Sequence, residues 1–293
     1  MQSTVLARDA WLARARAHEE RVDVRVRPHL ERRRRGEVHP VHDFLFSYYS
    51  HRPAALRRWH PGYGVTLLDA PEYAGLRGYA GSTGITVSPT HLAAQQSLVE
   101  SIRHLLAATA SRTPALGCFG LHEWAMVYRT DDVRHAWPLR LGPAGTDTIV
   151  EAHRISCSHF DAFRFFTEAA RPLNLLTPGH DDRAAFEQPG CLHAGMDLYK
   201  AAYRLSPLVP SDLVADAFEL AWDIRALDMR AAPYDLTGLV LDPTGETWTP
   251  VPIETPEGKA AYVTAQREFS ERAAPIRRHL IAECDRLVAA AIE

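Results

Sequence analysis

The sequence predicts a mainly α-helical protein, folded as a single compact domain over residues 1–293 with a few short strands. About seven segments have apolar residues at helical spacing or begin with a capping residue, and only short stretches alternate as strands do. The composition, with 46% apolar and 24% charged residues, is that of an ordinary globular chain.

The N-terminal segment, residues 1–60, is predicted to be basic and helical. It holds thirteen Arg against seven acidic residues, although the whole chain has a net charge of −3. Residues 4–24 are predicted as an amphipathic helix, and Pro28 suits the first turn of a second helix over residues 29–35. A basic end of this kind suits a polyanion, so nucleic acid is a candidate partner.

The later elements are predicted from capping residues and apolar spacing. Ser88-Pro89 and Thr255-Pro256 are typical helix starts, because a capping residue precedes a proline. From these signals, further helices are predicted over residues 88–112, 121–128, 191–205, 210–230 and 255–292. Residues 148–155 alternate and are predicted as a strand, and the glycine-rich residues 76–87 as a loop with a short strand.

Several classes of protein are excluded by what the sequence lacks. No apolar run approaches the roughly 20 residues of a membrane-spanning helix, and the N-terminus lacks the apolar core of a signal peptide. We therefore expect a cytoplasmic protein without a membrane partner, whose four cysteines are thiols or metal ligands rather than disulfides. The sequence also contains no phosphate-binding loop, nucleophile elbow or dinucleotide-binding fingerprint.

Residues suited to chemistry concentrate in a candidate active-site region, residues 117–235. Four stretches there combine His, Cys and carboxylates with glycine or aromatic residues. They are GCFGLHEWAMVYR, RISCSHFDAFRFF, QPGCLHAGMDLYK and DIRALDMRAAPYD. This mixture is typical of a site that binds a metal ion or transfers protons.

Two of these stretches predict a metal centre. In an extended segment His159 and Asp161 point to the same side, and one helical turn brings His193 and Asp197 together. Two imidazoles and two carboxylates bind a divalent ion such as Zn or Fe. We therefore predict His159, Asp161, His193 and Asp197 as metal ligands.

The same stretches allow two other metal sites. Cys157 and Cys191 each stand two residues before one of these histidines, so the two pairs could form a Cys2His2 zinc site. His159-Phe-Asp161 followed by His193 also matches the order of ligands in the facial triad of non-haem iron oxygenases.

Further residues are candidates for catalysis or substrate binding. His122 and Glu123 would form a base with its orienting partner, or add a metal ligand. Arginine interleaved with aromatic residues suits phosphate groups and unstacked bases. The predicted substrate contacts are Arg57, Arg58, Trp59, His60, Arg204 and Tyr234.

Five motifs carry a resemblance over the full length of the chain: GCFGLHEWAMVYR, HFDAFRFF, RPLN, QPGCLH-x2-MDLYK and DLVAD. With them the chain resembles an actinobacterial protein family named 3-methyladenine DNA glycosylase. The resemblance implies excision of an alkylated base held in an aromatic pocket. An Asp would activate water or stabilise the sugar cation, and Asp161 and Asp228 are the candidates for it.

Three functions are thus open, and we rank the metal-dependent one first because it accounts for the clustering of His, Cys and Asp. It is an enzyme with a Zn or Fe centre acting on a small polar or nucleotide-like substrate. The alternative is a DNA-base N-glycosylase, and the second alternative is a non-catalytic, zinc-stabilised binding protein. The sequence does not predict the substrate, the metal or the oligomeric state.

Overall fold

A computed structural model describes residues 4–130 and 137–291. In this part the protein is mainly α-helical, with 56% helix and 7% strand, which confirms the predicted fold class. Its α-helices are α1 Arg8–Arg35, α2 Phe44–Ser47, α3 Pro53–Arg57, α4 Pro89–Ala110, α5 Leu121–Ala125, α6 Gly142–Glu151, α7 Phe160–Phe163, α8 Arg183–Phe186, α9 Leu192–Arg204, α10 Ser211–Ala231 and α11 Pro256–Ala290. None of these helices combines the length and the apolar composition needed to cross a membrane.

A small sheet joins the N-terminal strand to the glycine-rich segment. Its strands are β1 Thr4–Leu6, β2 Val65–Leu68, β3 Tyr79–Ala80 and β4 Gly84–Val87, in the order β1-β2-β4-β3. β1 is parallel to β2, and the other two pairings are antiparallel. The apolar cluster at this sheet includes Trp11, Trp59, Leu67, Tyr73 and Ile85.

Two compact units can be distinguished within the chain. The first holds Met1–Ala107, Leu198–Glu219 and Pro275–Glu293, and the second holds Ala108–Asp197 and Leu220–Ala274. The predicted single domain stays a prediction.

The two helices expected before residue 36 are one continuous helix. α1 passes through Pro28 without ending, so the prediction of a new helix start at this proline was wrong. Proline inside a helix removes one backbone hydrogen bond. The apolar face compensates for this loss, because Val22, Val26 and His29 are buried at helical spacing across the proline.

The strand predicted over residues 148–155 was also wrong, because its first half, residues 148–151, belongs to α6 and the described structure has no strand over the rest. Thr146 and Val150, one turn apart, are the buried residues of this helix. A short segment that alternates over only a few residues is compatible with the periodicity of a strand and with that of a helix, and residues 148–151 are helical.

The helix starts marked by capping residues are confirmed. α4 begins at Pro89, where Ser88 Oγ accepts a hydrogen bond from the backbone N–H of His91 at 3.0 Å. α10 begins at Ser211 and α11 at Pro256, and α11 continues through Pro275.

Candidate metal centre

α5 places two of the predicted catalytic residues in the interior of the second unit. All five residues of this short helix are buried, including His122 and Glu123. The indole N–H of Trp124 donates to the carbonyl of Ala231 on α10 at 2.8 Å, which ties α5 to that helix. Gly120, just before α5, has a φ of +67°, and a Cβ there would lie 3.2 Å from the Ala231 side chain. The chain therefore enters α5 close against α10.

α9 and α10 contribute the other residues of the centre. His193 stands in the first turn of α9, and Asp228 is completely buried on α10. The two helices pack closely next to His193, because a Cβ on Gly195 would come within 2.8 Å of Ile224 Cδ1. The glycine thus allows His193 to approach Asp228.

One group of side chains has the spacing of a metal site. His122, His193 and Asp228 each offer a ligand atom within 4.8 Å of the other two, and in residues 4–130 and 137–291 no other such group of three occurs. His122 Nε2 lies 3.0 Å from Asp228 Oδ1. The rings of His122 and His193 are edge to face, with centroids 4.4 Å apart. We call these three residues the His2Asp group.

The two closest atoms of the His2Asp group form an ion pair when His122 is protonated. His122 Nε2 and Asp228 Oδ1 are buried 3.0 Å apart, and neither atom has a well-aligned hydrogen bond among the described residues. Buried polar atoms are rarely left in this state, because an unmade hydrogen bond costs about 1–3 kcal/mol. With a neutral His122, both atoms offer lone pairs to a cation, which would take the place of the proton.

Arg225, which sequence analysis did not single out, holds the second oxygen of Asp228. Its Nη1 donates to Asp228 Oδ2 at 2.5 Å and to Glu123 Oε1 at 3.0 Å. All three side chains are almost completely buried. Its signal in the sequence is an Arg three residues before an Asp, in a helix rich in Ala.

Burial and charge act in opposite directions on the pKa values of the centre. Burial alone would raise the pKa of Asp228, but the charges of His122 and Arg225 outweigh it and lower this pKa. Burial would lower the pKa of His122, but Asp228 raises it well above its usual value. Burial and then the charge of His122 lower the pKa of His193 far below its usual value. Without a metal, a proton on His122 thus balances the charge of the two carboxylates and Arg225.

The chain has no match among protein-family profiles, curated proteins or solved structures. The resemblance to the glycosylase family therefore stays a prediction, and the argument for function rests on the geometry of the site.

The four predicted metal ligands do not form one group, and only His193 belongs to the His2Asp group. Asp161 pairs with Arg164 at 3.2 Å. The expected extended segment ends at His159, because α7 begins at Phe160 and turns Asp161 away from the alternating pattern.

His159 and Asp197 lie instead in a neighbouring ion-pair cluster. His159 Nε2 is 3.3 Å from Asp197 Oδ2 and 3.6 Å from Glu187 Oε1. Arg183 donates to both carboxylates, at 2.9 Å and 2.6 Å. The ring of His159 is 5.3 Å from that of His193, so this cluster adjoins the His2Asp group.

Burial disfavours the thiolate form of both cysteines of the alternative zinc site. Burial raises the pKa of Cys157 to about 11, and it raises the pKa of Cys191 far above its usual value. The Cys157 thiol donates to the carbonyl of His159 at 3.6 Å. Neither cysteine belongs to a three-residue ligand group in the described part of the chain.

The predicted substrate contacts are divided between the two units. Arg58, His60 and Arg204 line one cavity of the first unit. Arg57 pairs with Asp23, and Trp59 is buried in the apolar cluster at the sheet. In the second unit, Tyr234 is completely buried.

Proposed function

We propose that this protein is an enzyme that uses one divalent metal ion bound by His122, His193 and Asp228. The observation that carries the proposal is the convergence of these three side chains, each of which offers a ligand atom within 4.8 Å of the other two, with His122 Nε2 3.0 Å from Asp228 Oδ1. Two ligand atoms about 2.1 Å from one ion lie about 3 to 3.5 Å apart in octahedral or tetrahedral coordination. The observed separation agrees with a shared ion.

The ligand set favours a catalytic metal over a structural one. Two imidazoles and one carboxylate are the ligands of catalytic zinc and of non-haem iron, and three protein ligands leave a position for water or substrate. A metal at such a site polarises a bound water or a carbonyl oxygen. We propose a small polar substrate, and nucleotide-like molecules belong to this class.

Two further residues have roles in this proposal. Arg225 fixes Asp228 by binding Oδ2, so that Oδ1 stays available to the metal. The same guanidinium binds Glu123 Oε1, while Glu123 Oε2 is buried without a hydrogen-bond partner among the described residues. Glu123 is therefore the candidate general base, because it has an oxygen ready to accept a proton.

The test is elemental analysis of the untagged protein, purified without chelators, beside the variants His193→Ala and Asp228→Asn. We expect nearly one equivalent of zinc or iron in the wild type and a loss of at least about tenfold in either variant. His180→Ala is the matched control, because this histidine of the same unit is 78% exposed, and it should keep the metal. Circular dichroism checks that each variant is folded.

Two results would contradict the proposal. One is wild-type protein without metal above background, and the other is folded His193→Ala protein that keeps its metal. Excision of an alkylated base by metal-free protein would then favour the glycosylase, with Asp161 or Asp228 as the catalytic carboxylate.

A further inference from the structure

A cavity in the first unit has a strongly cationic wall. It has a volume of about 360 Å³, within the range of small-molecule sites. Three arginines line it: Arg58 follows α3, Arg77 lies in the loop before β3, and Arg204 ends α9. Segments far apart in the sequence thus contribute three arginines to the lining of one cavity.

The positive charge of this wall is not neutralised by other described residues that line the cavity. Among residues 4–130 and 137–291, no Asp or Glu lines the cavity. In the described part of the chain, Arg58, Arg77 and Arg204 form no ion pair. The neighbouring Arg57 differs, because it is paired with Asp23.

Neutral polar groups complete the wall. Burial lowers the pKa of His51 to about 4, and burial followed by the charge of Arg58 lowers the pKa of His60 to about 3. Both imidazoles are therefore neutral near pH 7 and can hydrogen-bond without adding charge. His60 Nδ1 is 2.8 Å from Tyr79 Oη, and the ring of His51 stacks on Tyr203 at 4.8 Å, so both rings are held in place.

The loop that carries Arg77 is packed against the cavity wall. Gly78 has a φ of +90°, and a Cβ there would come within 2.8 Å of the His91 ring. His91 is itself part of the lining. Glycine at this position therefore lets the loop place Arg77 beside the other two arginines.

We propose that this cavity binds a small molecule with a phosphate monoester group. Guanidinium groups pair with phosphate oxygens through two parallel hydrogen bonds, and three of them suit a dianion better than a single carboxylate. A cavity of this volume also suits a small ligand better than the backbone of a long polyanion, which follows an extended groove. The site is independent of the His2Asp group, because its residues and its ligand chemistry are different.

Calorimetric titration of the full-length protein with inorganic phosphate and with AMP tests the proposal. We expect both probes to bind and uncharged adenosine to bind much more weakly. Arg58→Gln and Arg204→Gln should each weaken phosphate binding at least about tenfold, since each loses a charge-assisted pair of hydrogen bonds. Arg52→Gln is the matched control, because this exposed arginine lies outside the lining, and it should bind as the wild type does.

Three outcomes would overturn the proposal. The first is no heat of binding with either phosphate probe, and the second is equal binding of succinate and phosphate. The third is binding of a thymidine oligonucleotide together with no binding of AMP, which would indicate a nucleic-acid surface. All three arginine variants should unfold at the wild-type temperature and keep the wild-type metal content, which separates failure here from failure of the metal centre.

Discussion

The His2Asp group and the cationic cavity differ in how their charged side chains are paired. In the first, Arg225 is enclosed with Glu123 and Asp228, and His122 Nε2 lies 3.0 Å from Asp228 Oδ1. In the second, three arginines line a cavity to which the described part of the chain contributes no carboxylate. Buried acceptors with spare lone pairs attract a cation, whereas unpaired guanidinium groups attract an anion. The comparison shows that the pairing of charges, more than their number, indicates what each site binds.

The largest expected effect comes from breaking the buried charge pairs. Arg225→Met leaves Glu123 and Asp228 without their cation, so we expect the free energy of unfolding to fall by about 3–5 kcal/mol. The measurement is urea denaturation in the presence of a chelator.

Arg272→Met is the control for Arg225→Met. Arg272 pairs with Asp223 at 2.6 Å, but both side chains are well exposed, so its loss should cost less than about 1 kcal/mol. Equal costs for the two variants would show that the Arg225 pairs are not desolvated, and the contrast between the two regions would be lost.

Zinc should stabilise the folded protein through the His2Asp group. At a free zinc concentration one hundred times the dissociation constant, the free energy of unfolding rises by about 2.7 kcal/mol. Zinc binds nitrogen and oxygen ligands more tightly than ferrous iron, so it is a suitable probe whichever metal is native. Thermal unfolding with and without zinc measures the effect. His193→Ala should abolish it, and a rise of the same size in that variant would count against the centre.

Gly195 tests the approach of α9 to α10. In Gly195→Ala the new Cβ meets Ile224 Cδ1, and overpacking of this kind costs about 1–3 kcal/mol. The helices should move apart at His193, so the metal content should fall as well. Ile224→Val removes Cδ1, and the double variant should regain both stability and metal. A double variant no better than the single one would show that this contact does not position His193.

The helices of this fold could be predicted where the sequence marks their starts. Ser88 caps α4, and a capping residue also precedes α11. The errors arose at Pro28 and in α6, where buried residues beyond the local pattern decided the outcome. Local signals describe how a helix begins, whereas its continuation past a proline depends on packing that is set by other segments.

The sequence predicted the region that contains the candidate site, residues 117–235, but not which side chains come together there as the His2Asp group. His122, His193 and Asp228 all lie in the stretches selected from the sequence. His122 was predicted as a base or an additional metal ligand, and Asp228 was assigned to catalysis rather than to the metal. Spacing rules relate residues on the same element, such as His193 and Asp197 on α9. The His2Asp group joins three helices, so no spacing in the sequence indicates it. Arg77 was not predicted either, because the other residues of the cavity that it lines include ones far away in the sequence.

The smallest expected effect concerns His60, a neutral group in the cationic cavity. Its pKa in the folded protein is about 3, below the usual value of about 6.5, because burial and the charge of Arg58 disfavour the protonated form. Between these two values the unfolded chain binds more protons, so stability rises with pH. The contribution of His60 is therefore complete above pH 6.5 and is lost as the pH falls towards 3.

His60→Asn isolates this contribution. An Asn amide can replace Nδ1 in the hydrogen bond to Tyr79 Oη, so the fold is kept while the titrating group is removed. From pH 7 to pH 5.5 the wild type should lose about 1 kcal/mol more of its free energy of unfolding than the variant does. His104→Asn is the control, because this histidine of the same unit is exposed and its loss should leave the pH dependence unchanged. If His60→Asn keeps the acid sensitivity of the wild type, the pKa of His60 is the same in the folded and the unfolded protein, and the folded protein takes up a proton there as the pH falls through about 6.5. The cavity would then carry a fourth positive charge, and phosphate should bind it more tightly as the pH falls.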